Sequence, residues 1–383
     1  MLMDCNILKE VIFLKTKPTA LALAFATMIE VFVPLSAGAM TITTSDVAFN
    51  GSASVTDSEG GTSTSINGAS LGTSSITQYN ATTGVLMEAT LNLTSTQTQT
   101  VQVTSTSLGG SGANPAVTSY GQGSSTAKIS APGVANTFSA IGPIQDSCSN
   151  PYKSACQHAA TTTSFSTNLT ALASSLDNYV GTSTVLVSRS ADLTAEQTSN
   201  VFNGTESTKT ELKSEGNLSA TYNYLLHAAP SFDNDSTLLT LDLDFGTVFL
   251  GDSSSLNFSI FNLADPNRVG LDLDSFSETS DPGSLFSTNL ANFLGLAQGE
   301  SNPFKAFFNA STLGLWGASY SLNLSDANVG AATSRNDYTL LLNLTGNVIQ
   351  RASAAPAPIP EPGVLALFGI GLLGLGLGRR KAC

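Results

Sequence analysis

Residues 241–262 read LDLDFGTVFLGDSSSLNFSIFN. Leu241, Leu243 and Phe245 alternate with Asp242 and Asp244, and Leu256, Phe258 and Ile260 alternate with Asn257 and Ser259. Successive side chains of an extended chain point to opposite faces, so each run has one apolar and one polar face. Gly246 and Gly251 allow turns at the ends of the short run between them. The stretch therefore encodes strands that bury one face, and a one-residue slip would turn every apolar side chain outward. Phe304–Phe308, Trp316–Leu324 and Tyr338–Leu344 supply later strands. The expectation is a sandwich of about seven strands over residues 230–349. Leu243, Phe245, Phe258, Ile260, Leu322 and Leu342 are its expected core.

Between residues 40 and 350 helical periodicity is almost absent, and short alternating runs are separated by Gly, Asn, Asp and Ser. Val85–Thr94, Thr98–Ser105, Val180–Ser188, Thr208–Lys213 and Leu218–Leu225 read as strands. Residues 106–170 alternate less clearly and contain the Gly/Ser stretch Gly109–Gly123, which reads as a long loop. Lys209, Glu211, Lys213 and Glu215 fall at period two on one solvated face, with a lysine guarding a sheet edge. A boundary falls at Ala228-Ala229-Pro230. The fold class is all-β, with two β-sandwich domains at 40–228 and 229–350, because roughly 315 residues exceed one ordinary core.

The two ends differ from this interior. Lys9, Lys15 and Lys17 precede the apolar stretch Ala20–Ile29, and Ala37-Gly38-Ala39 supplies an Ala-x-Ala cleavage site. Residues 1–39 thus read as a signal peptide, and the mature chain starts near Met40. At the other end, residues 351–383 run from a Pro-rich spacer through Pro360-Glu361-Pro362 and the apolar run Gly363–Gly378 to Arg379-Arg380-Lys381. About 16 residues in helix rise ~24 Å against a hydrocarbon core of ~30 Å, so this transmembrane helix is marginal. Its cationic end stays cytoplasmic. Gly369, Gly371 and Gly374 have the spacing of a dinucleotide loop, but no strand precedes them.

Only 11% of residues are charged and the net charge is −13. Nucleic acid and anionic headgroups are therefore poor partners, and multivalent cations or uncharged glycans fit better. After processing at both ends Cys148 and Cys156 remain, in a polar loop where an oxidising compartment favours a disulfide. A metal site of Cys148, Cys156 and His158 matches no standard zinc spacing and lacks a fourth ligand. Asp233 with Asp235, Asp242 with Asp244, and Asp272 with Asp274 could each offer two oxygens to calcium, or form a solvated stripe. No other cofactor is indicated. With only His158 and His227 as neutral-pH bases and no nucleophile or phosphate-loop motif, the chain reads as non-enzymatic.

Three segments resemble known families. The tail, from the spacer through Pro360-Glu361-Pro362 to Arg379-Arg380-Lys381, resembles the PEP-CTERM sorting signal of Gram-negative bacteria. That resemblance implies transient inner-membrane anchoring through the C-terminal helix, cleavage by a membrane-embedded exosortase, and release to the cell surface or exopolysaccharide matrix. Gln78, Tyr79, Asn80 and Gly84, with Tyr179–Val185 and Ala220–Tyr224, resemble the choice-of-anchor E domain over roughly 44–226. That family implies no reaction. Residues 241–262 resemble the abnormal-spindle/Hydin type of immunoglobulin-like domain, which implies a spacer or binding module. The sequence thus describes an exported structural or adhesive protein, the alternative being a module that binds exopolysaccharide, for which exposed aromatics near Tyr120 or Tyr152 would speak.

Overall fold

The computed structural model describes residues 38–58, 62–107, 118–149, 154–157, 161–198, 204–352 and 362–377. The signal peptide through Ala37 lies outside the described residues; Ala39 directly precedes the first strand.

The first sandwich comprises β1 (Met40–Thr43), β2 (Val47–Asp57), β3 (Thr62–Thr77), β4 (Val85–Ser107), β5 (Thr118–Ala131), β6 (Val134–Ser149), β7 (Ser154–Gln157), β8 (Thr161–Thr170), β9 (Thr184–Gln197) and β10 (Gly204–Leu225). One sheet has the order β1-β10-β4-β7, with β2 joined to β10 and β8 to β4, and the other has the order β3-β9-β5-β6. β4 and β10 pair antiparallel from Gly204↔Ser107 to Leu225↔Val85. At ~3.3 Å per residue, strands of 23 and 22 residues reach roughly 70 Å.

Three expectations are corrected here. The paired runs expected at 85–105 and at 208–225 are each one continuous strand, and residues 118–149 form a hairpin rather than a loop. The hairpin escapes an apolar-alternation test because Ser119, Gly121, Gly123 and Ser125 hold every second position of β5, and all four are buried. β10 is an interior strand, so its lysines guard no edge; Lys209 instead pairs with Glu211 at 3.0 Å.

Two apolar clusters fill this sandwich. One, around Leu91, Leu93, Ile129, Val187 and Tyr222, lies toward Val85 and Leu225; the other, around Val55, Leu71, Leu193 and Leu212, lies farther out. A polar layer accompanies them. Gln97 donates to Ser95 Oγ and Ser214 Oγ at 2.6 and 2.8 Å, and Gln99 donates to the Gly123 carbonyl at 2.8 Å. Such groups survive burial only when bonded. Gly123 makes room for the layer, because a Cβ there would fall 1.9 Å from Thr210 Oγ1.

The second sandwich comprises β11 (Pro230–Ser231), β12 (Thr240–Phe249), β13 (Ser253–Asn262), β14 (Leu271–Ser280), β15 (Phe286–Thr288), β16 (Phe293–Leu296), β17 (Ser301–Asn309), β18 (Gly314–Asp326) and β19 (Asp337–Ile349). Its sheets have the orders β11-β13-β17-β15 and β12-β19-β18-β14-β16. The strand count exceeds seven because the short β11, β15 and β16 add to the sheet margins. β12 runs parallel to β19, and the other pairs are antiparallel.

Phe245, Phe258, Ile260, Leu322 and Leu342 are buried as expected. Leu243 is half-buried, because β12 is the outermost strand of its sheet. Aromatic rings fill the centre, with Phe286 and Phe308 stacked at 4.6 Å and Phe258 and Phe304 tilted at 5.8 Å. The one α-helix among the described residues, α1 (Pro362–Leu377), is 16 residues long. Among the described residues no helix is long and apolar enough to cross a membrane, which corrects the expected transmembrane span.

Candidate functional site

The end of the first sandwich meets the start of the second around His227 and Asp326. Asp326 ends β18 and is fully buried. Its Oδ1 accepts from Ala228 N at 2.7 Å and Tyr338 OH at 2.9 Å, and its Oδ2 from Asn336 N at 2.8 Å and His227 Nδ1 at 2.7 Å. On the other side of the ring, His227 Nε2 lies 2.7 Å from the Ala81 carbonyl. Both nitrogens face acceptors, so only the doubly protonated imidazolium satisfies both.

The electrostatics agree with that geometry. Burial pulls the His227 pKa down, but the bonds to Asp326 and Ala81 and the charge of Asp326 outweigh it, and the net shift is upward. For Asp326 burial pushes up, while donation from His227, Asn336 and Ala228 outweighs it, and the net shift is downward. Tyr338 is raised by burial and by Asp326. Arg335 Nε donates to the Asp326 carbonyl at 2.8 Å, and Arg268 Nη1 donates to the His227 carbonyl at 2.6 Å.

The segment after Asp326 completes the joint. Ala331 N donates to the Leu86 carbonyl at 2.8 Å, Leu86 N donates to Ser334 Oγ at 2.9 Å, and Thr333 N donates to Asp177 Oδ1 at 2.9 Å. Val85 of the first sandwich belongs to the second's core, and Ala331 of the second to the first's core. The sequence singled out His227 only as a scarce base. Its partner lies 99 positions away, and no local pattern links them.

The other expected site residues are dispersed. Cys148 is buried on β6 opposite Ser119 of β5, whereas Cys156 stands on β7 opposite Val103 of β4. The expected pair would therefore join strands of different sheets while closing the short segment between them; the Cys156 side chain, like His158, lies outside the described residues. Asp242 and Asp244 share an exposed face, where Asp242 accepts from Asn343 and Asp244 from Gly246 N, both at 2.8 Å. Asp272 is buried and accepts from Gly295 N at 2.6 Å while Asp274 is exposed, so this pair does not converge. Asp233 accepts from Asp235 N and Ser236 N at 2.8 Å in a tight turn, which holds its pKa low. Among the described residues no group of three or more His, Cys, Asp or Glu converges to hold a metal ion. Tyr120 is 54% exposed on β5, and Tyr152 lies outside the described residues.

At the tail, Pro362 opens α1, while Pro360, Glu361, Arg379, Arg380 and Lys381 lie outside the described residues. Gly369, Gly371 and Gly374 fall within α1, which rules out a phosphate-cradling loop there. Leu367, Phe368, Ile370, Leu372 and Leu373 are 68–76% exposed, so these side chains are left uncovered by the other described residues. The family profile described as "PEP-CTERM protein-sorting motif" matches residues 358–381. The tail is a PEP-CTERM sorting motif. This motif implies an exported protein that is processed by an exosortase.

No curated protein matches the chain. Among solved structures, an ASH/PapD-like domain of human CEP192 is 12% identical, covering 32% of this chain and 87% of its own, at a TM-score of 0.24. The Vibrio cholerae VesB protease is 17% identical, covering 34% of this chain and 37% of its own, at 0.21. WR4, an MSP family member of C. elegans, is 6% identical, covering 27% and 91%, at 0.20. Likenesses at these scores carry no argument about this chain.

Proposed function

We propose that this chain is a non-enzymatic structural or adhesive protein of the bacterial cell surface or exopolysaccharide matrix, delivered by its signal peptide and its PEP-CTERM tail acting in turn. The observation that carries this reading is the sorting motif at 358–381 following a body built almost wholly of sheets. In this reading the signal peptide exports the chain. α1, whose described apolar side chains are exposed, inserts into the bilayer without crossing it, and an exosortase cuts near Pro360-Glu361-Pro362. A helix of 16 residues rising ~24 Å is short for a resident anchor and suited to transient retention.

The body then serves as a spacer. Its two sandwiches are joined by the buried His227–Asp326 bonds, and the rows of Ser and Thr on its outer faces suit hydrated surroundings. Comparing host strains with and without the exosortase tests this. Surface and matrix fractions should contain the protein only when the exosortase is present; equal release from both strains refutes the route.

A second reading, binding of exopolysaccharide, is favoured by the exposed Tyr120 ring on the polar outer face of β5. A glycan array with the mature protein and its Tyr120→Ala variant separates the two: sugar binding lost in the variant supports a binder, and an empty array supports a spacer.

A further inference from the structure

Five large apolar side chains crowd one end of the second sandwich. Phe249 is 39% exposed, Leu250 42%, Leu313 48%, Leu315 80% and Ile349 38%. The register brings them together, because Phe249 pairs with Ile349, Gly314 with Val348, and Leu250 N donates to the Ile349 carbonyl at 2.8 Å. β19 starts beside the His227–Asp326 joint, where Asn336 meets Asp326, and ends at Ile349. The apolar end is thus the one away from the first sandwich.

Charges at this end are already partnered. Asp252 pairs with Arg351 at 2.9 Å, and the Arg351 guanidinium sits 5.1 Å from the centre of the Phe249 ring. Asp281 accepts from Leu285 N and Phe286 N at 3.3 and 3.1 Å. An exposed apolar cluster of this kind marks a contact surface.

We infer that this end of the second sandwich docks on the surface of the lipid bilayer that holds α1. The inference rests on the proposed reading of the tail. The chain leaves the cluster at Ile349 and enters α1 at Pro362, so only residues 350–361 lie between. These read QRASAAPAPIPE, and 12 residues, even fully extended, span at most roughly 43 Å. A bilayer holding α1 is therefore kept within reach of the cluster until the tail is cut. Apolar side chains flanked by a neutralised arginine suit a zwitterionic interface, which needs no cationic patch.

The test uses the full chain reconstituted into phosphatidylcholine vesicles, with Leu315→Trp in a Trp316→Phe background so that position 315 carries the only tryptophan. The same background with Leu341→Trp places the probe on an exposed position in the middle of β19, eight residues from Ile349. Docking predicts a blue shift and quenching by brominated acyl chains at 315 and neither at 341. Water-like, unquenched emission at 315 in a chain that floats with the vesicles overturns the docking alone. Equal quenching at both positions also overturns it. A chain that does not float refutes the reading of the tail, and the docking with it. A blue shift at 315 that grows with protein concentration without vesicles identifies a second copy as the occupant and overturns the proposal. Adding Leu313→Ser to the Leu315→Trp variant in the same Trp316→Phe background should weaken the quenching at 315 while flotation persists; quenching unchanged by this substitution contradicts the docking.

Discussion

Replacing Asp326 with alanine removes the acceptor on which the joint between the two sandwiches converges. The lost carboxylate is fully buried and serves four donors. Breaking a buried ion pair by removing one partner costs about 3–5 kcal/mol, and each buried donor left stranded costs about 1–3 kcal/mol, with partial overlap between these terms. Water entering the vacated space recovers part of that, so a loss of about 4 kcal/mol is expected, a large share of the ~5–15 kcal/mol typical of a folded domain. His227→Ala should cost less, because Asp326 keeps three of its donors. Urea unfolding of the mature protein from pH 3 to 9 reads both changes.

The pH dependence has a definite sign. The raised pKa of His227 stabilises fully below its unfolded value of about 6.5, and that contribution is lost as pH rises through the native value. The lowered pKa of Asp326 stabilises fully above about 4, and that contribution is lost as pH falls through the native value. The joint should therefore contribute most between about pH 4 and 6.5, and His227→Ala should flatten the alkaline limb. A cost below about 1 kcal/mol for Asp326→Ala, or an alkaline limb unchanged by His227→Ala, would refute the reasoning.

Further outcomes follow from the packing. Gly123→Val should destabilise by several kcal/mol, since its Cβ would fall 1.9 Å from Thr210 Oγ1, whereas Gly142→Ala, with open space around it, should be nearly silent in the same unfolding assay. Phe258→Ala should cost roughly 3–5 kcal/mol through lost burial and a cavity, while Ser259→Ala, on the opposite face of β13, should cost little; equal costs would mean a wrong register. A non-reduced peptide map of exported protein should link Cys148 to Cys156, and quantitative labelling of both thiols under native conditions would rule this out.

The second sandwich was legible because its strands follow the period-two rule. Phe258, Ile260, Leu322 and Leu342 are apolar, alternate and are buried. The first sandwich was harder to read because part of its interior is polar. Gln97, Gln99, Thr208 and Thr210 occupy buried positions where an apolar test expects Val or Leu, so the two halves of β4 and of β10 looked separate. Gly121 and Gly123 looked like loop residues because their role is steric: they admit Thr208 and Thr210 from the facing sheet. The sorting motif was legible because all its parts are adjacent in sequence. The His227–Asp326 joint was not, since long-range pairing leaves no local signature.

The measurement that bears most directly on the central claim is intact-mass and C-terminal peptide analysis of the protein recovered from the surface and matrix of its host. Sorting by the tail predicts a chain that ends close to Pro360-Glu361-Pro362 and lacks Arg379, Arg380 and Lys381. A surface-exposed protein that retains Arg379 would contradict it.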